Sequence, residues 1–165
     1  MYAMIYTRPD VACALTMTSR YQSDPGESHW TAVKNILKYL RNTKDKFLVY
    51  GESEELVVSG YTDASFQTDK DDFRSQSGYV FFLNGGAVSW KSSKQSTVAD
   101  STTEAEYIAA SEAGKEAVWI RKFITELGVV PSISEPVALY CDNNGAIAQA
   151  NEPRSHQKSK HIERR

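Results

Sequence analysis

The stretch Gly78-Tyr79-Val80-Phe81-Phe82-Leu83-Asn84-Gly85-Gly86-Ala87-Val88-Ser89-Trp90-Lys91 decides the fold class. Two runs rich in aromatic and β-branched residues flank Asn84-Gly85-Gly86. Asn and Gly tolerate the positive φ that a tight hairpin turn demands, so the runs read as antiparallel strands. Upstream, Leu56-Val57-Val58-Ser59-Gly60-Tyr61-Thr62 reads as a further strand, separated from the hairpin by a polar stretch over residues 67–77. Downstream, a long helix is expected from about residue 102 to 127, closed by Gly128 and Pro131. Val137-Ala138-Leu139-Tyr140-Cys141 is nearly all apolar and fits a buried strand of the parallel kind. A short helix over 143–150 follows. The order βββαβα implies an α/β fold: a mixed β-sheet of three antiparallel strands, then a helix and a parallel strand, flanked by helices.

Residues 1–50 read as a small helical segment ahead of that sheet. Asp10 is placed to cap a helix through Val11, Ala12, Ala14, Leu15 and Met17, and Asp24-Pro25-Gly26 makes a turn. Trp30, Val33, Ile36, Leu37 and Leu40 then recur at helical spacing, ending near Asn42, with Lys34, Lys38 and Arg41 on a solvated face. The expected division is therefore 1–50 and 51–165.

The 165 residues, 41% hydrophobic and with a net charge of −2, exclude the disordered class. No run approaches the roughly 18 apolar residues of a membrane span, and Arg8, Pro9 and Asp10 break any signal-peptide pattern. Cys13 and Cys141 make neither a zinc spacing nor a disulfide framework, so a reducing, intracellular setting is expected. The near-neutral total conceals an asymmetry. Counted by segment, residues 1–50 carry +3, residues 51–142 carry −8 and residues 143–165 carry +3. An acidic middle between basic flanks suits carboxylates gathered for metal, with a polyanion gripped from the sides.

Three acidic residues stand out. Asp63 ends the first strand and Asp142 ends the apolar, buried one, where strands give way to what comes next. Taken alone, each reads as a turn or N-cap aspartate. The long helix discriminates further. With Glu106 at zero and 100° per residue, Ala110, Ala113, Ala117, Ile120 and Ile124 all fall within about 40°, and Leu127 at about −60°. Glu106 thus sits on the apolar stripe, where a lone carboxylate is costly unless paired or bound to metal. Glu104 falls at about 160° and stands three residues after Ser101, the spacing of a capping box. Glu104 is then structural and Glu106 is the odd residue out. Oxygen-only ligands converging at one sheet edge select Mg²⁺ or Mn²⁺, and two such ions suit in-line phosphoryl transfer. The chain has no Walker phosphate loop and no Gly-x-Ser-x-Gly elbow.

Six motifs in order, Tyr61-Thr62-Asp63-Ala64-Ser65, Ser77-Gly78-Tyr79-Val80-Phe81, Val88-Ser89-Trp90-Lys91-Ser92-Ser93-Lys94-Gln95, Ser101-Thr102-Thr103-Glu104-Ala105-Glu106-Tyr107, Cys141-Asp142-Asn143-Asn144-Gly145-Ala146 and Lys160-His161-Ile162-Glu163, carry a resemblance. Over about residues 56–163 the chain resembles the RNase H domain of retrotransposon polyproteins of the plant copia type. Thr7-Arg8-Pro9-Asp10-Val11 and His29-Trp30 look like the tail of the preceding reverse transcriptase, its thumb or connecting segment. The resemblance implies a two-metal endonuclease cutting the RNA strand of an RNA/DNA hybrid in the cytoplasm, within a virus-like particle. It also implies reverse transcriptase as a neighbour and the chain as a piece of a polyprotein, cut within the last RNase H helix. It maps catalytic carboxylates onto Asp63, Glu106 and Asp142, with Glu163 as the nearest candidate for a fourth. His161 is placed near the metals and His156 at product release, unless both are surface residues of a basic tail. A module that binds hybrid or supports the polymerase, with little or no catalysis, is the alternative.

Expected substrate contacts are the hydroxyls of Ser101, Thr102 and Thr103, the amides of Asn143 and Asn144 at a minor-groove edge, and Lys91, Lys94 and Gln95 along the backbone. Trp90 is expected in the core, Trp119 against the N-terminal segment, and Asp69, Asp71 and Asp72 in a solvated loop.

Overall fold

The structure, a computed structural model, describes residues 2–51, 57–128 and 135–152. Helices α1 (Tyr2–Tyr6), α2 (Ala12–Ser19) and α3 (Glu27–Asn42) precede strands β1 (Val58–Ser65), β2 (Gln76–Leu83) and β3 (Gly86–Lys94). Helix α4 (Thr102–Leu127), strand β4 (Ala138–Tyr140) and helix α5 (Asn144–Asn151) complete the order. The sheet runs β3-β2-β1-β4; β2 is antiparallel to both β1 and β3, and β4 is parallel to β1. This is the anticipated mixed α/β architecture.

Local chemistry explains each junction. Asn84 (φ 50°) and Gly85 (φ 78°) both take the positive φ of a type I′ hairpin turn. Register slips between Phe81 and Phe82, which face Ser89 and Ala87, so Val88 is the extra residue of a bulge. Gly128, at φ 65°, caps α4 in the left-handed conformation. The core lies where α4 crosses one face of the sheet: Val58, Phe81, Ala113, Ile120 and Ile124, joined by Tyr79, Leu83 and Leu139. A Cβ on Gly60 would overlap the Phe81 ring, so β1 needs glycine where the fully buried phenyl crosses it.

Four expectations about the framework change. β1 does not stop at Thr62, because pairing with β2 continues to Ser65↔Gln76; Asp63 lies inside the strand, opposite Gly78. β4 is not a buried strand: Ala138 and Tyr140 are exposed and Leu139 is half-buried. It pairs only with β1 at the edge of the described sheet, so its apolar composition covers one side alone. Leu127, on the predicted stripe, is exposed at the last turn of α4, and the buried stripe ends at Ile124. Asp10 caps no helix. Pro9 fixes a 3₁₀ turn over Pro9–Val11, and the Asp10 carboxylate accepts from Arg8 Nη2 (2.7 Å) and from the Tyr39 hydroxyl (2.8 Å).

The helical segment is fastened to the sheet. Helix α2 packs on β3, and the half-buried Trp90 indole, expected as core, donates to the Met4 carbonyl at 2.6 Å. Trp119 is not covered by this segment; it is 56% exposed and stacks on Phe123 on the outer face of α4. Asp69 is not a solvated loop residue. It is buried, and its Oδ2 meets Lys94 Nζ at 2.7 Å and Arg20 Nη1 at 3.1 Å, while Lys94 also reaches Asp72 at 2.7 Å. Gln95, expected along a nucleic-acid backbone, is also buried. Its Nε2 donates to Ser77 Oγ (2.8 Å) and to the Ala105 carbonyl (2.9 Å), tying the first turn of α4 to β2. Replacing Gln95 with Met removes both of these buried bonds, and denaturant titration should show a loss of about 1–3 kcal/mol.

The ion pairs carry a pH signature. The Lys94 ammonium holds Asp69 down at about 2, and the Arg8 guanidinium does the same for Asp10. A carboxylate whose pKa is depressed by folding adds stability above its unfolded pKa and loses it as pH falls through the folded one. The Arg20–Asp69 pair, which ties the helical segment to the sheet domain, and the Asp10 contacts inside that segment should therefore weaken between pH 4 and 2. Fluorescence of Trp90, read against Trp30→Phe and Trp119→Phe replacements, should report that release.

Candidate metal centre

Helix α4 begins at a built cap. Ser101 Oγ accepts the Glu104 N–H (3.1 Å), and the Glu104 carboxylate accepts the Asp100 N–H (2.7 Å). The reciprocal bond thus goes one residue further back than a capping box requires, but Glu104 is structural as expected. Two residues on, Glu106 points into the fold and is 6% exposed. Its carboxylate lies 3.9 Å from Cys141 Sγ, just beyond β4, and the Ala64 backbone of β1 acts to lower its pKa.

Burial, before any other cause, raises the Glu106 pKa; the charges of Asp63 and Asp142 push the same way. Cys141 is raised too, by burial and then by Glu106, Asp142 and Asp63. Among the described residues no lysine, arginine or histidine pairs with Asp63, Glu106 or Asp142. Three mutually repelling carboxylates, one of them buried, therefore have no cation among the described residues to offset them. That is the electrostatic condition a hard divalent ion relieves, and the donor set fits Mg²⁺ or Mn²⁺.

The geometry is not uniform. Glu106, Asp142 and Cys141 bring one ligand atom each to within 4.8 Å of one another. Asp63 is exposed on β1 and stands outside that trio, coupled to Glu106 and Cys141 through its charge. Cys141 escaped sequence reasoning because it was judged by Cys/His spacing; its place immediately before Asp142 was the available signal.

The expected substrate residues divide. Ser101 and Thr102 are exposed, and Thr103 is half-buried beside Gly145. A Cβ on Gly145 would stand 3.0 Å from Thr103 Oγ1, so glycine lets the start of α5 approach the start of α4. Asn143 is the N-cap of α5, its Oδ1 accepting the Ala146 N–H at 2.9 Å, and Asn144 is exposed on the first turn. Asn143→Ala should cost about 1 kcal/mol, measured by thermal or denaturant unfolding. Lys94 has its ammonium held by Asp69 and Asp72, whereas Lys91 is exposed. Glu163, His156 and His161 lie outside the described residues.

No protein-family model matches the chain. It is 47% identical over 163 residues to the retrovirus-related Pol polyprotein from transposon TNT 1-94 of Nicotiana tabacum, covering 99% of this chain and 12% of that protein. It is 38% identical over 159 residues to the corresponding polyprotein from transposon RE2 of Arabidopsis thaliana, covering 96% and 11%. A third relative, the secreted RxLR effector protein 161 of Plasmopara viticola, is 49% identical over 120 residues, 73% of this chain and 84% of that one. The chain thus spans only about a tenth of the two transposon polyproteins it matches almost end to end. The chain is homologous to one segment, about a tenth, of the retrovirus-related Pol polyproteins of plant copia-type transposons.

Proposed function

We propose that the chain is a metal-dependent ribonuclease H that hydrolyses the RNA strand of RNA/DNA hybrids during reverse transcription of a retrotransposon. The observation that carries this reading is Glu106: a carboxylate buried at the sheet edge beside Asp142, within the field of Asp63, and offset by no cationic side chain among the described residues.

Asp63, Glu106 and Asp142 would hold Mg²⁺ or Mn²⁺, two ions in the arrangement proposed. Bound there, such ions supply an activated water and stabilise the departing oxygen of an in-line displacement at phosphorus. The chain's own residues do the positioning. The Asn143 cap fixes the backbone just after Asp142. Ser101, Thr102 and Asn144 stand exposed at the starts of the two helices, where hydroxyls, amides and helix N-termini suit sugar 2′-OH and phosphate oxygens. Lys91, exposed on β3 and in no ion pair among the described residues, offers an ammonium for a phosphate. The reverse transcriptase portion of the same polyprotein is the proposed neighbour, in a virus-like particle. No helix among the described residues is long and apolar enough to cross a membrane.

The test is strand-specific cutting. With Mg²⁺, a labelled hybrid should lose its RNA strand to products ending in 5′-phosphate and 3′-hydroxyl, while duplex DNA stays whole and a chelator stops the reaction. Asp63, outside the tight trio, favours the second reading of a hybrid-binding module with weak or no catalysis. Binding of hybrid without cutting under Mg²⁺ or Mn²⁺ would select it.

A further inference from the structure

One sulfur belongs to the cluster of acidic oxygens. Helix α4 delivers Glu106 and the exit of β4 delivers Cys141 and Asp142 as consecutive residues, so two carboxylate oxygens and a thiol come within 4.8 Å of one another. Cys141 Sγ is 3.9 Å from Glu106 Oε2. Tetrahedral zinc separates a thiolate sulfur and a carboxylate oxygen by roughly 3.5 Å, so this pair needs only a small inward shift. Within this trio Glu106 is 94% buried (6% exposed), faces the thiol through Oε2, and pairs with no cation among the described residues.

Mg²⁺ takes oxygen ligands and has little use for sulfur, whereas Zn²⁺ and Cd²⁺ accept thiolate and carboxylate together. We propose that Glu106, Cys141 and Asp142 form a site for a thiophilic divalent ion, Zn²⁺ or Cd²⁺, with water completing the shell. On binding, the Cys141 S–H proton passes to solvent and a sulfur–metal bond forms; nothing is oxidised or reduced. Because Glu106 and Asp142 are shared with the hard-metal site proposed above, the soft ion displaces Mg²⁺ and blocks it. The inference rests on that reading for its inhibitory consequence, and on geometry alone for the binding itself.

The experiment is a Cd²⁺ titration of the full chain in a Cys13→Ser background, which leaves Cys141 as the single cysteine. The thiolate-to-cadmium charge-transfer absorbance reports ligation directly. A saturable band of one equivalent is expected. It should vanish on adding Cys141→Ser, weaken about tenfold or more in Glu106→Gln and in Asp142→Asn, and shift to higher Cd²⁺ when Mg²⁺ is in excess. Circular dichroism verifies that each variant is folded. A band that survives Cys141→Ser would overturn the site. So would a band indifferent to both carboxylate replacements, since Cys141 would then be an isolated thiol. In the hybrid-cutting assay, Zn²⁺ should inhibit the parent at lower concentration than Cys141→Ser. A chain that cuts no hybrid yet shows the Cys141-dependent band keeps the soft-metal site and loses the nuclease reading.

Discussion

Glu106→Gln should abolish hybrid cutting, by roughly 10³-fold or more, in a protein that remains folded. Glutamine has nearly the shape of glutamate, so packing at the start of α4 survives. What it lacks is the charge. Burial and the neighbouring aspartates already make that charge costly without metal. The substitution should therefore leave the metal-free protein as stable as the parent or more so. The effect of Mg²⁺ separates the two proteins. An ion that binds only the folded state raises stability by about 2.7 kcal/mol at a hundredfold excess over its dissociation constant. The parent should gain thermal stability on adding Mg²⁺ and Glu106→Gln should not. Equal gains would mean that Mg²⁺ binds elsewhere.

Phe81→Ala carries the largest structural penalty. Phe81 is fully buried in β2, between Gly60 of β1 and the residues of α4 that make the core. Removing its ring should cost about 3–5 kcal/mol in denaturant titration, a large share of the stability of a domain this size. Gly60→Ala attacks the same contact from the other side by overlapping the ring, and should cost about 1–3 kcal/mol. The two effects are not expected to add, because once the ring is gone a methyl on residue 60 has room. A double variant no worse than Phe81→Ala alone would show this, and simple additivity would contradict it.

Much of this was legible in local sequence. Asn84-Gly85 specifies a turn through its own backbone preference, and the three-strand order follows from it. Helical periodicity distinguished Glu106 from Glu104 because 100° per residue puts one on the core side and the other at the cap. What the sequence could not show was which distant groups meet. Cys141 and Glu106 are 35 residues apart, Arg20 and Asp69 49 apart, and Trp90 and Met4 86 apart. Several of the readings that changed lay at such junctions. Asp69 read as solvated because its cations come from the residue after α2 and from β3; Gln95 read as a surface donor because Ser77 and Ala105 are brought to it by folding. The apolar run at 137–141 suggested burial, yet position in the sheet is a property of topology, and β4 occupies the described edge.

The most direct test compares the parent and Asp63→Asn on a labelled RNA/DNA hybrid with Mg²⁺, with binding measured alongside cutting. The account predicts that the parent cuts the RNA strand, and that Asp63→Asn binds the hybrid but cuts it at least about 10³-fold more slowly. Undiminished cutting by Asp63→Asn would contradict the assignment of the site. Intact binding with no cutting by the parent would contradict the enzyme itself.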